Sequence, residues 1–470
     1  MAFFDGLSLF REEFGQTYGY DANNNLVSAV DAQKQATRFA YNSSQDMTKL
    51  TDARGNDFKY GHDTRHNVIK GTSAQNVVYS LSYDSAGNVI KSGCTDPSST
   101  SAGTWVERTF TTDQNHVATV KDAGGNTVRY TWDLPKDLMT ALTDAKGNVT
   151  SYAYDSADRL ASVSMQVGSG GTQTVENTYT YTKDKLTSIG HNGFQYGFTY
   201  DSYGNTAGAS IAGTQVVSYE YAEKHGNLLK VNYANGDYIR YQYDSQDRLS
   251  ITWKGKTGGT EEKLYSYVYN KQGEPARVTI HEVGKTYSLY YDLLGRLMRV
   301  YDSSGCSYEY TYDAGNNMTA MRYSAESSFR TGYTYDKDSR ETKVTAYGHN
   351  RSTVYDAFGR VASRSWDTTA PYHTTYQYMD SGNNRYGLVK KIQNGTAAIQ
   401  YTYDANGNIT SITEGGKTNN YYYDKRNQLC LRPYRNPYPK DRGRDSDQLP
   451  HGGGPSDFPA ERHPGDLFCL

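Results

Sequence analysis

The sequence predicts an all-β protein of tandem β-hairpins, arranged as one spiralling ribbon that forms a partial hollow shell. Three observations lead to this prediction: a Tyr-Asp motif recurs along most of the chain, each copy contains a turn signature, and aliphatic residues are scarce. The hydrophobic share is 36% with tyrosine included, against roughly 45–50% in an average soluble protein. Tyrosine supplies 46 of the 470 residues and glycine 45, a composition that argues against both a helical bundle and disorder.

The repeat becomes visible when the sequence is aligned on Tyr-Asp. The best copies read Tyr-Asp-x-x-Gly, then Asn or Arg, then in most copies an aliphatic residue. These copies are Tyr83, Asp84, Gly87, Asn88; Tyr200, Asp201, Gly204, Asn205; Tyr291, Asp292, Gly295, Arg296; Tyr355, Asp356, Gly359, Arg360; and Tyr403, Asp404, Gly407, Asn408. Further copies begin at Tyr20, Tyr154, Tyr243, Tyr269, Tyr312, Tyr335 and Tyr423, and weaker ones lie near Tyr41, Tyr60, Trp132 and Tyr378. The mean step of about 22 residues is typical of repeat architectures, and residues 1–429 are predicted to hold about 19 repeats.

The substitutions at the fifth motif position predict a left-handed backbone there. The position is glycine in the best copies, and elsewhere it is Asn24, Asn316, Asn427, Asp158 or Asp247. These residue types tolerate positive φ. Aspartate followed three residues later by such a residue predicts a type I turn with a bulge, whose carboxylate accepts backbone N–H groups. Ser339 departs from the pattern, and backbone strain is expected there.

Strand patterns flank the motif turn on both sides. Tyr401 and Tyr403 alternate with Thr402, so both rings are predicted to share one face of a strand. About ten residues after the motif turn, a second turn signature follows in several repeats. The clearest of these second turns are Asp52 to Gly55, Asp122 to Gly125, Asp144 to Gly147, and Asp302 to Gly305. Each repeat is therefore predicted to be two strands and two turns. A ribbon of nearly 40 strands, twisting by about 20–25° per strand, must coil, and tyrosine ladders can stabilise a thin wall.

The run Tyr-Asp-x-x-Gly-Asn/Arg at this spacing resembles the YD repeats of RHS-family proteins, including the shells of Tc-toxin C components and of teneurins. The resemblance covers about residues 18–429. It implies a hollow β-shell that encapsulates a carboxy-terminal toxin or effector domain and helps to deliver it, released by aspartate self-cleavage in an RHS-associated core. Neither that core nor an effector domain is recognisable in this chain, so no residue inherits the cleavage role. The implied location of the full-length protein is secreted or cell-surface, with a secretion-system adaptor as a further partner.

Charge and terminal sequence exclude several classes of partner and location. The formal net charge of −2 leaves no cationic excess to neutralise phosphates, so nucleic acid is not an expected partner. The amino-terminal residues lack a basic region, and Asp5 interrupts their apolar stretch, which predicts no signal peptide in this chain. No apolar run reaches the roughly 18 residues of a membrane span. Residues 430–470 hold seven of the 11 prolines, and are predicted to be a disordered or out-of-frame Pro/Gly-rich tail.

The sequence predicts no catalytic, cofactor-binding or metal-binding residues. The segment from Asp404 suggests a calcium loop, but Ile409 and Gly415 stand where an EF-hand needs glycine and glutamate. Histidines are scattered without metal-ligand spacing. The cysteines, which give no metal or disulfide signature, are Cys94, Cys306, Cys430 and Cys469. The sequence therefore predicts a protein that is not an enzyme.

A second functional hypothesis treats the tyrosines as binding groups. Tyrosine rings can stack on sugar rings, so a cell-surface adhesion or carbohydrate-binding β-repeat protein, contacting cell-surface glycans, is the alternative. Repeat adhesins of that kind rely on tryptophan, and only four tryptophans are present. Tyrosine as a packing residue of the wall is the favoured interpretation.

Overall fold

The computed structural model describes residues 15–95, 102–167, 173–224, 226–326, 329–367, 372–380, 387–431 and 468–469. Within these residues the chain forms 40 β-strands and one 3-10 turn at Leu134–Lys136, with no α-helix. No helix in this part of the chain is long and apolar enough to cross a membrane. The predicted tail, residues 430–470, lies almost entirely outside the described residues.

The strands follow one another at short intervals along the described chain. The first twenty are β1 Thr17–Tyr20, β2 Leu26–Val30, β3 Ala36–Tyr41, β4 Met47–Thr51, β5 Asp57–His62, β6 Val68–Thr72, β7 Val78–Tyr83, β8 Val89–Thr95, β9 Ala102–Phe110, β10 Val117–Asp122, β11 Thr127–Asp133, β12 Leu138–Thr143, β13 Val149–Tyr154, β14 Leu160–Val167, β15 Gln173–Thr182, β16 Lys185–His191, β17 Phe194–Tyr200, β18 Thr206–Ile211, β19 Thr214–Tyr221 and β20 Leu228–Tyr233. The remaining twenty are β21 Asp237–Tyr243, β22 Leu249–Lys256, β23 Glu261–Tyr269, β24 Pro275–Ile280, β25 Lys285–Tyr291, β26 Leu297–Asp302, β27 Ser307–Tyr312, β28 Met318–Tyr323, β29 Arg330–Tyr335, β30 Glu341–Ala346, β31 His349–Tyr355, β32 Val361–Trp366, β33 His373–Tyr378, β34 Val389–Asn394, β35 Ala397–Tyr403, β36 Ile409–Glu414, β37 Lys417–Asn420, β38 Tyr422–Tyr423, β39 Leu429–Leu431 and β40 Phe468–Cys469.

Strands β1 to β37 form a single antiparallel sheet in which each strand pairs with the next one along the chain. The motif strands alternate as their sequence indicates: in β27, Tyr310 and Tyr312 are half-buried while Thr311 between them is exposed. Across the hairpin these two tyrosines face Met321 and Met318 of β28, and such cross-strand pairs stabilise a sheet. The prediction of an all-β ribbon of tandem hairpins is confirmed.

The sheet has almost no conventional core. The buried apolar residues of the described chain are Ala32, Val77, Cys94, Ala123, Val167, Val231 and Cys430. None of them is a leucine, isoleucine or aromatic residue, the types that usually fill an interior. Most motif side chains are half-buried on the sheet surface. The ribbon is therefore a wall one sheet thick.

The ribbon coils so that distant turns meet. Hydrogen bonds join side chains 258 to 285 residues apart in sequence. In one such contact, the turn between β2 and β3 meets the turn between β25 and β26, which lies 23 strands farther along. One turn of the spiral therefore takes about 23 strands, and the 37 strands make roughly one and a half turns. The ribbon coils because sheet twist accumulates along it.

Strands β38 to β40 form a separate three-stranded sheet. Cys430 is disulfide-bonded, although the spacing of the cysteines gives no disulfide signature, and strand pairing places it opposite Cys469 in this sheet.

Candidate functional site: the motif turns and the seam between spiral turns

Each motif turn is a type I turn that closes with a left-handed residue. At Tyr83, the N–H of Gly87 donates to the carbonyl of Asp84 at 3.2 Å, and the N–H of Asp84 donates to the carbonyl of Asn88 at 3.0 Å. Gly87 has φ +93°, a conformation that costs glycine little. The strand register shifts between Ser82 and Tyr83, which is the bulge that such a loop requires.

The other four best copies have the same backbone. Their fifth residues have positive φ at Gly204 (+89°), Gly295 (+74°), Gly359 (+81°) and Gly407 (+81°). Ser339, the copy that departs from the pattern, also has positive φ, at +61°. A serine in this region stores backbone strain, which is tolerated here because the flanking hairpin fixes its conformation.

The motif aspartate closes the turn through both carboxylate oxygens. Asp84 Oδ1 accepts the backbone N–H groups of Ala86 and Asn88, each at 2.9 Å, and its Oδ2 accepts the Asn88 side-chain amide at 3.0 Å. Where the sixth position is arginine, the guanidinium replaces that amide. Equivalent side-chain hydrogen bonds join Asp201 to Asn205, Asp404 to Asn408, Asp292 to Arg296, and Asp356 to Arg360. The Asn/Arg preference therefore has a local cause, since both side chains can donate to the aspartate.

The hydroxyl of the motif tyrosine forms a hydrogen bond that joins each repeat to the preceding one. The hydroxyl of Tyr83 donates to the carbonyl of Val68 at 2.8 Å, near the start of the strand that follows the previous motif turn. The same bond joins Tyr200 to Leu186, Tyr291 to Pro275, Tyr312 to Leu297, Tyr355 to Glu341 and Tyr403 to Val389. Phenylalanine could not make this bond, which explains why the motif position holds tyrosine rather than phenylalanine.

The arginine form of the motif adds a contact in the other direction along the ribbon. The Arg296 guanidinium lies 4.7 Å from the ring centre of Tyr312, the motif tyrosine of the next repeat. Arg360 lies 4.1 Å from the ring of Tyr378 in the same way. A cation over an aromatic face is attractive, so these arginines link successive repeats as well as closing their own turns.

The motif position at Tyr181 was missed in the sequence, whereas the weaker copies near Tyr60 and Trp132 were recognised although their residues differ. The turn near Tyr60 begins after His62, and Tyr181 occupies a motif position although threonine follows it. Tyr181 still donates its hydroxyl to the Leu160 carbonyl at 3.0 Å. At Trp132 the indole N–H replaces the hydroxyl and donates to Val117 at 2.9 Å. An aromatic residue about 15 to 21 residues after an aliphatic strand start is the signal that identifies such copies.

We predict that Tyr312→Phe destabilises the chain by about 1 kcal/mol, because the Leu297 carbonyl loses its hydroxyl partner. The control is Tyr290→Phe, since that side chain is 55% exposed on the neighbouring motif strand. Urea unfolding measures both changes. Equal effects of the two substitutions would contradict a specific role for the hydrogen bond from Tyr312 to Leu297.

Successive spiral turns meet along a seam formed by second turns on one side and motif turns on the other. Its described members are residues 31–35, 52–56, 73–77 and 144–148, which face residues 292–296, 313–317, 336–340 and 404–408. Arg54 makes the densest contact. Its guanidinium donates to the carbonyls of Asp336 at 3.0 Å and Lys337 at 2.9 Å, and to the Ser339 hydroxyl at 2.8 Å.

The other seam contacts are also made by polar side chains. Ser73 donates its hydroxyl to Asp338 at 2.7 Å. Lys146 donates to Asp404 at 3.1 Å, and the two side chains are 27% and 15% exposed. The Gln33 side chain donates to Asp292 and accepts a hydrogen bond from Arg296. In the opposite direction, Asn406 of a motif turn donates to Asp144 of a second turn. These contacts could not be inferred from the sequence, because they depend on the pitch of the spiral.

Hydrogen bonding lowers the pKa of several turn aspartates below the usual 3.8. At Asp201 the first cause is the side-chain hydrogen bond from Asn205. At Asp404 burial acts first and raises the pKa, but hydrogen bonds from Asn408 and from Lys146 outweigh it. Several tyrosines of the wall shift in the opposite sense from the usual 10.0: burial raises the pKa of Tyr403, for example.

These shifts predict stability that falls at both ends of the pH scale. A lowered folded-state pKa contributes stability that is complete above about pH 4 and is lost as pH falls through the folded-state value. A raised tyrosine pKa contributes stability that is complete below about pH 10 and is lost as pH rises. Urea midpoints measured from pH 2 to 11 should form a plateau between about pH 5 and 9. Midpoints that increase below pH 4 would contradict the assignment.

The described residues contain no cluster of three or more histidine, cysteine, aspartate or glutamate side chains that could hold a metal ion. One cavity of about 430 Å³ borders the seam, with Phe58, Tyr60, Tyr79 and Phe358 among its lining residues. Because the seam aspartates are paired with amide, lysine, arginine or hydroxyl groups, the arrangement as a whole serves to hold the wall together.

Two protein-family profiles match the chain. Residues 112–308 and 348–432 match the Teneurin YD-shell, and residues 20–57 and 291–328 match the RHS repeat. Among curated proteins, the tRNA3(Ser)-specific nuclease WapA of Bacillus spizizenii is 28% identical over 246 residues, 50% of this chain and 9% of that protein. The tRNA nuclease WapA of Bacillus subtilis is 25% identical over 308 residues, 54% of this chain and 13% of that protein.

Solved structures with a similar fold belong to Tc toxins. The crystal structure of TcdB2-TccC3 aligns with a TM-score of 0.70 at 13% identity, covering 89% of this chain and 26% of that one. The Photorhabdus luminescens Tc holotoxin pore gives a TM-score of 0.67 at 13% identity, covering 88% of this chain and 26% of its counterpart. At this identity the similarity concerns the fold, and it confirms the predicted partial shell.

Proposed function

The chain belongs to the YD-shell family of RHS-repeat proteins, and we propose that it is a section of shell wall that encapsulates a carboxy-terminal toxin or effector and helps to deliver it. The observation that carries this proposal is the wall itself. It is one sheet thick, lacks a conventional core, and is joined edge to edge by the seam. A wall of this kind separates an inside from an outside, which a compact domain does not.

The proposed role is containment, without catalysis by the wall. The two curated relatives are named as tRNA nucleases, but this chain spans only 9% and 13% of their lengths. Their nuclease activity is therefore attributed to those proteins as wholes. The partner that this proposal requires is an effector polypeptide outside the present chain, with a secretion-system adaptor as a second partner. The full-length protein would act as a secreted or cell-surface protein.

Protease protection tests containment. An unfolded reporter polypeptide is fused after Leu470 in one version of the chain and before Met1 in a control version. Containment of carboxy-terminal cargo predicts that the reporter at the carboxy terminus is digested at least tenfold more slowly than the same reporter at the amino terminus. Equal digestion rates in the two fusions, with the ribbon itself intact by circular dichroism, would refute the proposal.

The adhesion and glycan-binding alternative has less support in the structure. The hydroxyls of the motif tyrosines donate to backbone carbonyls within the wall, as at Tyr291 and Tyr403. Their rings also pack against arginines of neighbouring repeats in the arginine copies. These tyrosines are therefore used for wall construction, and are not free to form a repeated sugar-binding surface.

A further inference from the structure

We infer that the seam is an opening device: it separates as a unit while the ribbon stays folded, and this separation regulates the containment proposed above. The inference rests on that proposed function for its biological meaning, but the opening itself is a property of the wall. Its basis is the difference between the contacts within one spiral turn and the contacts between successive spiral turns.

Within a spiral turn, backbone hydrogen bonds hold the strands together. Every strand from β1 to β37 pairs with the next by an antiparallel ladder, and such ladders account for most of the hydrogen bonds of a sheet. Across the seam no strand pairs with a strand of the other spiral turn in the described residues. The seam is therefore mechanically distinct from the rest of the wall.

The seam contacts come mainly from one position of the second turns. This is the third residue of each five-residue turn, and its occupants are Gln33, Arg54, Gln75 and Lys146. Their side chains or backbone N–H groups reach the opposite motif turn. The backbone N–H of Gln75, for instance, donates to Asp338 Oδ1 at 3.1 Å. Separation of the two sides therefore breaks only these peripheral contacts and leaves each hairpin intact.

The second turns differ in length along the ribbon. After residue 190, several second turns are reduced to two residues, as at Asn192-Gly193, Ala212-Gly213 and Tyr347-Gly348. A two-residue turn has no third position to extend toward another turn. The second turns that make the described seam contacts all have the five-residue form, which the later turn from Asp302 to Cys306 also keeps.

Arg54 forms three hydrogen bonds across the seam and is expected to contribute most to its stability. It spans two consecutive motif turns, because it lies 3.7 Å from the Asp313 carboxylate while its three hydrogen bonds reach residues 336–339. Its side chain is 15% exposed. The two charged pairs across the seam, Arg54–Asp313 and Lys146–Asp404, lie at turn tips and keep side-chain exposures of 15–27%. Concentrated salt therefore weakens them, although less than it weakens fully exposed pairs: the screening length falls from about 10 Å at 0.1 M to about 3 Å at 1 M.

Arg65 provides a matched control for Arg54. It occupies the third position of a motif turn and also donates to two backbone carbonyls, those of Ser85 at 2.9 Å and Asp84 at 3.1 Å. These acceptors belong to the adjacent repeat of the same spiral turn. Removal of Arg65 therefore deletes similar bonds without affecting the seam.

The test measures the distance across the seam by spin labels at Ala74→Cys and Lys337→Cys, in the full chain with Cys306→Ser. At low salt the unmodified seam should give one short distance. A second, longer distance should grow at least tenfold in population at 1 M salt, and also with Arg54→Ala at low salt. Arg65→Ala should leave the distribution unchanged. In every case the β-sheet circular dichroism should be unchanged.

Either of two results would overturn the inference. The first is a single short distance in both 1 M salt and Arg54→Ala. The second is a longer distance that appears only together with loss of the β-sheet signal, since the seam would then open by unfolding. The salt measurement needs no substitution at Arg54, so it remains decisive if that variant fails to fold. Because no cargo is involved, failure here is distinguishable from failure of the protease-protection experiment.

Discussion

Asp292→Ala is expected to lower the free energy of unfolding by about 3 kcal/mol, because it removes a shielded carboxylate that several groups share. Asp292 Oδ1 accepts the N–H groups of Leu294 at 2.9 Å and Arg296 at 3.0 Å. Its Oδ2 accepts Arg296 Nε at 2.7 Å and, across the seam, Gln33 Nε2 at 3.0 Å. The side chain is 9% exposed. Its loss opens the motif turn, deprives the Arg296 guanidinium of its carboxylate partner and weakens the seam.

Asp155→Ala is the control for this prediction. Asp155 makes the same two backbone contacts and the same pairing with Arg159, but it is more exposed and has no seam partner among the described residues. Urea unfolding of both variants should give a clearly smaller loss for Asp155→Ala. Equal losses would mean that the local turn accounts for the whole effect and that the seam contributes nothing.

Arg360→Met is expected to lower the free energy of unfolding by a similar amount, about 3 kcal/mol, because it removes the guanidinium that pairs with two partly shielded carboxylates. Arg360 Nε donates to Asp356 at 2.8 Å, and its two terminal nitrogens each donate to Asp380 at 2.8 Å. Burial lowers the pKa of Arg360, but the hydrogen bonds to Asp380 and Asp356 outweigh it and raise the value overall. Methionine keeps much of the apolar stem that packs toward Tyr378.

Arg248→Met separates the two contributions at this site. Arg248 pairs with its own motif aspartate, Asp244, and stacks on Tyr269 at 4.5 Å, so it has the local roles of Arg360 without a second carboxylate. Thermal unfolding should show the larger loss for Arg360→Met. The interpretation fails if the Arg248 variant loses as much, since Asp380 would then have no separate effect.

The local geometry of the repeat could be inferred from sequence because it depends on neighbouring residues. The need for glycine, asparagine or aspartate at the fifth position indicates positive φ, and Gly87 and Asn316 have φ of +93° and +66°. The alternation of Tyr310 and Tyr312 with Thr311 likewise indicates the two faces of a strand. Each inference uses contacts within about six residues.

The remaining features depend on register and pitch, which the sequence does not reveal by itself. Tyr312 donates to Leu297, 15 residues earlier, and that pairing follows from the stagger of successive hairpins. Gln33 has the appearance of an ordinary turn residue, yet it contacts Asp292, 259 residues away. Such a contact depends on how far the ribbon twists per strand, a sum of small increments over 23 strands.

A cryo-electron microscopy reconstruction of the full chain distinguishes a hollow wall from a packed particle. We expect a wall about 10 Å thick, one sheet deep, curving through roughly one and a half turns around a solvent-filled space, with density joining successive turns at residues 52–56 and 336–340. A solid particle in which sheets pack face to face, with no internal space, would contradict it.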